Sequence, residues 1–97
     1  MIVRVVQMTF RPEKVKEFTT LFYERKHIIR DFAGCTHLEL WQDSKDENVF
    51  FTYSMWDSEA ALNHYRFSEF FKDTWGKTKA LFADKPQAWS VSVVSKS

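Results

Sequence analysis

The sequence predicts an α+β fold in which a four-stranded antiparallel sheet carries helices on one of its faces. Three observations lead to this prediction. Strand-like and helix-like segments follow the order β-α-β-β-α-β, the apolar residues of the helical segments recur every three or four positions, and a short polar turn joins the middle strands. The chain has 97 residues, of which 44% are apolar and 18% aromatic, so we expect one globular domain spanning residues 1–97.

The first strand and the first helix are distinguished by the spacing of their apolar residues. Residues 2–10, IVRVVQMTF, are rich in β-branched and apolar side chains, which is typical of a strand. Pro12 then suits the first turn of a helix, and Gly34 suits its end. An amphipathic helix of about five turns is predicted between them by the apolar residues Val15, Phe18, Leu21, Phe22, Ile28, Ile29 and Phe32.

The middle of the chain predicts a β-hairpin. Residues 35–42, CTHLELWQ, and residues 48–56, NVFFTYSMW, have the composition and length of strands. The polar stretch DSKDEN between them predicts the turn that joins the two strands.

The last part of the chain predicts two helical segments and a final strand. Asp57 or Ser58 caps a helix through EAALNHYR, and Ser68 caps a longer helix over about residues 69–82. Residues 87–94, QAWSVSVV, alternate between apolar and polar side chains and predict the last strand. The complete order is that of the split-βαβ, ferredoxin-like fold.

The strands carry apolar residues in both phases, although helices can cover only one face of such a sheet. In the third strand both alternating sets are apolar or aromatic, with Val49, Phe51, Tyr53 and Met55 on one side and Phe50 and Trp56 on the other. A sheet face left to water alternates to polar residues, so we expect the second face to meet a partner. The simplest partner is a second copy of the chain. The pattern predicts a homodimer through the sheet face and leaves open which face meets the helices.

The charge balance and the cysteine count exclude several classes of function. The 14 basic and 13 acidic residues give a net charge of +1 and form no basic stripe, which argues against nucleic acid binding. No apolar run approaches membrane-spanning length, and the first residues lack the pattern of a signal peptide. Cys35 is the only cysteine, so an intrachain disulfide is impossible. We therefore expect a cytoplasmic protein that binds neither nucleic acid nor membrane.

Aromatic residues around the helical segments are the candidates for a ligand pocket. Phe71 and Trp75 share one helical stripe, Phe67 lies at the break before it, and Trp56 ends the third strand. Core packing is the commoner role of large aromatic residues, and it is compatible with a pocket wall. Because so many large side chains gather near a helix break, a cavity between helices and sheet is a reasonable expectation.

The polar candidates are two neighbours on the second helix. His64 and Tyr65 offer acid–base chemistry or a hydrogen bond to a phenolic oxygen, although a histidine on a short helix is more often exposed to solvent. His37 on the second strand is the alternative if its face of the sheet lines the pocket. The three histidines have no metal-ligand spacing, so no metal site is predicted.

Three stretches of the chain resemble the antibiotic biosynthesis monooxygenase (ABM) family of dimeric α+β barrels. They are the strand–proline–helix opening MTFRPEKVKEF, the FAGC turn into the second strand, and the passage YSMWDSEAALNHY into the second helix. The resemblance covers nearly the whole chain. Members of that family include cofactor-free quinol monooxygenases, haem-degrading monooxygenases and isomerases, and the fold alone does not choose among them.

The haem-degrading branch of that family resembles this chain at one position of three. That branch has an asparagine on strand one, a tryptophan at the end of strand three and an iron-ligating histidine on the last long helix. Trp56 matches the tryptophan, whereas Val6 or Gln7 stands at the asparagine position and Trp75 at the histidine position. An indole nitrogen cannot serve as an axial haem ligand, so haem degradation is disfavoured.

A second departure concerns a histidine that is frequent in the wider family on the second helix. Its position falls on Tyr65, and His64 precedes it by one residue. One residue corresponds to about 100° of helical rotation. The role of the family histidine therefore cannot simply be transferred to His64.

The resemblance implies a cofactor-independent monooxygenase that acts on a small, quinol-like aromatic molecule in an apolar pocket between helices and sheet. No flavin, haem or metal is expected. The candidate site residues are His64 and Tyr65 for catalysis and, for substrate binding, Trp56, Phe67, Phe71 and Trp75. The alternative is a non-catalytic dimer of the same fold that binds a small ligand or serves as an interaction module.

Overall fold

The computed structural model describes residues 1–97 and contains the predicted order of strands and helices. The strands are β1 (Ile2–Thr9), β2 (Cys35–Gln42), β3 (Val49–Trp56) and β4 (Gln87–Val91). The helices are α1 (Val15–Asp31), which follows a 3₁₀ turn at Pro12–Lys14, α2 (Glu59–Arg66) and α3 (Glu69–Lys79). The prediction of an α+β, ferredoxin-like fold is confirmed. None of the helices combines the length and the apolar character that crossing a membrane requires.

The four strands form one antiparallel sheet in the order β2-β3-β1-β4. All helices pack on the same face, which settles the question that the alternation of the strands left open. The helix-facing side carries Arg4, Val6 and Met8 from β1 and, from β3, Phe50, Thr52, Ser54 and Trp56. The opposite side, here called the open face, carries Val3, Val5, Phe51, Tyr53, Met55 and Trp89.

The main core lies between α1 and the part of the sheet where β1 ends and β3 begins. Phe10 is completely buried and stacks on Phe18 of α1 with ring centroids 4.0 Å apart. Burial of such a phenylalanine side chain contributes about 1.5–3 kcal/mol. A second, smaller cluster of Cys35, Trp56 and Leu62 joins the end of the hairpin to α2. The aromatic residues at these strand ends therefore hold both α1 and α2 against the sheet.

The turn at Gly34 leads from α1 into β2 and packs against the start of α2. Gly34 has a φ of +87°, and its carbonyl accepts a hydrogen bond from the amide of Asp57 at 2.8 Å. A Cβ atom on this residue would lie 2.4 Å from the Cβ of Ala61. Glycine is required here both by the backbone conformation and by the close approach of α2.

Two predicted boundaries are wrong. The third helix ends at Lys79 rather than near Phe82, because the chain turns so that Phe82 forms a β-bridge with Phe10. The last strand ends at Val91 rather than at residue 94, because its partner β1 pairs no further than Val3.

The open face is largely uncovered in the single chain. Trp41 and Trp89 retain 40% and 42% of their surface there, and Trp41 stacks on Tyr53 with centroids 4.8 Å apart. Glu39 on the same face hydrogen-bonds to His37 and accepts a bond from the Trp41 indole at 2.7 Å. His37 therefore lies on the sheet side away from the helices. Simple strand alternation would place Cys35 and His37 on the same face. A bulge between them turns Cys35 into the core, so they lie on opposite faces.

Candidate functional site

A cavity of about 230 Å³ lies between the helix-facing side of the sheet and the three helices. Its floor is formed by β1 and β3, and its walls come from α1 and the α2–α3 pair. Most of the lining side chains are apolar or aromatic. This is the layout of a site for a small apolar ligand, in which a few polar groups orient the ligand.

Trp56 forms one end of the cavity floor. Its side chain is 1% exposed, and its indole N–H donates to the hydroxyl of Ser54 at 3.0 Å. The indole stacks on the ring of Tyr65, with centroids 5.0 Å apart and planes inclined by 22°. Trp56 thus serves both interpretations made from the sequence, because it packs α2 onto the sheet and also lines the cavity.

The break between α2 and α3 aligns the aromatic wall. Ser68 accepts a hydrogen bond from the Phe71 amide at 3.1 Å and donates one to the Tyr65 carbonyl at 2.6 Å. Tyr65 meets Phe71 edge to face at 5.0 Å, and Phe71 stacks on Trp75 at 5.9 Å. A single capping serine therefore fixes three neighbouring rings along one side of the cavity.

Tyr65 is the hydroxyl-bearing aromatic residue of this wall. Burial, and secondarily the nearby Cys35 thiol, raise the pKa of the Tyr65 phenol far above its ordinary value of 10. The ionised form is disfavoured in an apolar environment that supplies no compensating charge. At neutral pH the phenol is consequently protonated, so it can donate a hydrogen bond and does not act as a base.

Two arginines are the cationic groups of the cavity wall, and the sequence analysis did not identify them. Arg4 lies in the middle of β1 and Arg66 ends α2. The Arg4 guanidinium donates to the hydroxyl of Ser90 on β4 at 3.0 Å. Burial and the proximity of Arg66 lower the pKa of Arg4. The sequence did contain a signal for Arg4, because this charged residue alternates in phase with the apolar residues Ile2, Val6 and Met8.

Two of the predicted site residues lie outside the cavity. His64 is exposed and does not line the cavity; its ring centroid lies 6.3 Å from that of Phe32. Phe67 at the helix break retains 70% of its surface. The structure brings together Trp56, Tyr65, Phe71 and Trp75 and leaves His64 and Phe67 apart from them. The functional roles assigned to all six residues stay predictions.

A second, wider hollow differs in character from this cavity. Its volume is about 490 Å³ and it lies between α1 and the end of α3, but it is shallow and lined mainly by lysine, glutamate and threonine. No group of three or more histidine, cysteine, aspartate or glutamate side chains is arranged to hold a metal ion.

Solved structures share this architecture over nearly all of the chain. The model of the family described as antibiotic biosynthesis monooxygenase matches residues 1–76. The crystal structure of an antibiotic biosynthesis monooxygenase superposes with a TM-score of 0.91 and 22% identity, over 98% of this chain and 100% of that chain. A protein of Caulobacter crescentus CB15, provisionally named as an enzyme of that kind, superposes with a TM-score of 0.88 and 22% identity, over 97% of this chain and 90% of its own.

A curated relative from Natronomonas pharaonis, provisionally named a heme-binding protein, is 31% identical over 80 residues. The matched residues make up 81% of this chain but 13% of the relative, so the chain spans a small part of that protein. The family match extends from Met1 to Gly76 and includes both Trp56 and Tyr65. The resemblance seen in the sequence is confirmed, and the chain belongs to the antibiotic biosynthesis monooxygenase family.

Proposed function

We propose that the protein is a cofactor-independent monooxygenase that oxidises a small, quinol-like aromatic molecule in the cavity. The observation that carries this proposal is the continuous aromatic wall of Trp56, Tyr65, Phe71 and Trp75. An apolar cavity of about 150 Å³ holds one benzene molecule. The space of about 230 Å³ therefore suits a single substituted ring, which would stack against these side chains.

The chemistry requires little from the protein, because a quinol supplies both electrons. The quinol anion passes an electron to dioxygen, and the resulting radical pair recombines at the ring. One oxygen atom stays on the oxidised ring and the other leaves as water. The protein contributes an apolar space that excludes bulk water and the Tyr65 phenol, which donates a hydrogen bond to the substrate oxygen.

Substitution of Tyr65 and His64 tests this proposal with matched changes on adjacent residues. Oxygen uptake is measured with a panel of substituted hydroquinones for the wild type, Tyr65→Phe and His64→Asn. We expect uptake by the wild type and a loss of roughly ten- to a hundredfold in kcat/KM for Tyr65→Phe, the magnitude of a hydrogen bond to a charged group. His64→Asn is expected to change uptake less than about twofold, because its side chain lies outside the cavity.

Absence of oxygen uptake by the wild type with every hydroquinone of the panel would refute the monooxygenase assignment. Saturable binding of the same molecules without oxygen uptake would then support the alternative, a non-catalytic ligand-binding protein. Equal activity of the wild type and Tyr65→Phe would refute the role of the phenol.

The lining residues do not fit a haem group. Haem iron takes a histidine, cysteine or deprotonated tyrosine as its strong protein ligand. The cavity wall contains neither of the first two, and the Tyr65 phenol stays protonated. The volume of about 230 Å³ also lies below the roughly 300 Å³ of the smallest drug-sized sites. A saturable Soret shift on titration with haemin would overturn this conclusion and favour the function named for the Natronomonas relative.

We also propose that two copies pair through the open face. The face presents Trp41, Trp89 and Val91 with 40%, 42% and 46% of their surfaces exposed. Contiguous exposed apolar surface of this kind is characteristic of an interface. Sedimentation velocity at micromolar concentration should show a dimer, and a monomer would contradict the proposal.

A further inference from the structure

Arg4 and Arg66 place two positive charges on the wall of a cavity that is otherwise mostly apolar. They come from different elements, β1 and α2, and are 62 positions apart in the chain (66 minus 4). Neither takes part in any of the five ion pairs of the protein. No aspartate or glutamate lines the cavity. The two guanidinium groups thus repel each other without a compensating carboxylate from the protein.

Two like charges on one apolar wall are mutually unfavourable. An arginine has five N–H donors, yet Arg4 uses its side chain for one bond to Ser90, and Arg66 forms none within the chain. Uncompensated charges and unused hydrogen-bond donors of this kind are found mainly at functional sites. An anionic group in the cavity would satisfy the free donors and compensate both charges at once.

We infer that the cavity binds an aromatic ligand that carries an anionic oxygen group, with Arg4 and Arg66 holding that group. The inference rests on the proposed function in that it takes the cavity as the ligand site. The ring lies against the Tyr65 and Trp56 side of the wall, and the anionic end faces the two guanidinium groups. Carboxylate and phenolate oxygens share this chemistry, and carboxylate also matches the planar fork of arginine.

Neighbouring hydroxyl groups support the same interpretation of the site. In the sheet register Arg4 lies between Ser54 of β3 and Ser90 of β4. The Ser54 hydroxyl accepts from the Trp56 indole, which leaves its own proton available to donate toward the cavity. The cavity also contains no carboxylate or imidazole to act as a base. A ligand that enters the cavity already ionised is therefore stabilised as an anion.

The test is a calorimetric titration with three probes that share one ring: 4-ethylbenzoate, 4-ethylbenzamide and 4-ethylphenol. The amide has nearly the shape of the acid but no charge. We expect the wild type to bind the benzoate at least about tenfold more tightly than the benzamide. Arg4→Gln and Arg66→Gln should each weaken benzoate binding about ten- to a hundredfold and leave benzamide binding within about twofold.

Four further measurements keep the result interpretable. Lys79→Gln removes one exposed charge outside the cavity and should bind all three probes as the wild type does. Arg4→Lys and Arg66→Lys retain the charge and are expected to recover part of the benzoate affinity, and a thermal melt of each variant confirms folding. Binding of 4-ethylphenol that strengthens only as it ionises, around pH 10, identifies phenolate as the preferred group.

Equal wild-type affinity for benzoate and benzamide would overturn the inference while leaving the proposed function in place. The same holds if both glutamine variants keep the preference for the acid. Failure of all three probes to bind would count against the cavity as a ligand site and thus against the proposed function itself.

Discussion

Replacing Gly34 by alanine is expected to destabilise the protein by roughly 2–4 kcal/mol. The φ of +87° costs an L-residue about 1–2 kcal/mol. The added Cβ would lie 2.4 Å from the Cβ of Ala61, and overpacking of this kind costs about 1–3 kcal/mol. Alanine also restricts the conformations of the unfolded chain, which offsets about 0.4–1 kcal/mol of this cost.

The assay is urea unfolding followed by circular dichroism at one fixed protein concentration, because association would shift the apparent stability. Gly76 provides the matched control. It lies inside α3, and no atom outside its own helical turn comes within 4 Å of the position that a Cβ atom would take there. Gly76→Ala should therefore stabilise the protein by about 1 kcal/mol.

A second substitution separates the two costs at Gly34. Ala61→Gly removes the atom that clashes, so the double variant should recover the overpacking part, about 1–3 kcal/mol, and retain the backbone part. The reasoning is refuted if Gly34→Ala unfolds within about 0.5 kcal/mol of the wild type. It is also refuted if Ala61→Gly gives no favourable coupling.

Three other predictions follow from single contacts. Ser68→Ala should lower the free energy of unfolding by about 1 kcal/mol, the usual cost of losing a helix cap, and should also lower ligand affinity because Tyr65 loses its hydrogen bond to Ser68. Ser68→Asp can still cap the helix and should retain stability. An equal loss of stability in both variants would contradict the capping role. Hydrogen bonds from Arg25, foremost, and from a nearby lysine lower the pKa of Asp73 below its ordinary 3.8, so its contribution to stability is present above that value and lost as pH falls through the folded-state pKa. Asp73→Asn should therefore reduce stability at neutral pH and flatten its decline below about pH 4, as acid titration of the unfolding midpoint will show; an unchanged acid profile would contradict this. Trp41→Glu should raise the dimer dissociation constant at least about a hundredfold in sedimentation velocity, because it buries an unpaired charge, and a variant that stays dimeric would exclude that residue from the interface.

Local patterns were sufficient for the fold and for part of the site. Strand alternation and helical spacing depend on near neighbours, and they predicted the two apolar faces and the serine that starts α3. The end of α3 was not predictable in this way. The apolar spacing continues to Phe82, but the contact with Phe10 lies 72 positions away (82 minus 10) and overrides the helical tendency.

The candidate site likewise contains residues that the sequence could identify and residues that only the fold brings together. Trp56, Phe71 and Trp75 were identified because large aromatic residues stand out in a small chain. His64 and Tyr65 were both candidates because of their chemistry, and only Tyr65 lines the cavity, since one residue rotates a side chain by about 100°. Arg4 and Arg66 each look like ordinary solvated charges until the fold brings them to one cavity.

The sheet is a single layer, and we have proposed a different task for each side: ligand binding toward the helices and self-association on the open face. In β1, β3 and β4, and in β2 from His37 onward, even-numbered residues face the helices and odd-numbered residues face the open side. Under the two proposals, point substitutions should alter the choice of ligand and the self-association separately, so that selection can act on each alone. Insertion or deletion of one residue within a strand would exchange the two sets. Over evolutionary time, we expect length changes in this family to collect in the turns and spare the strands.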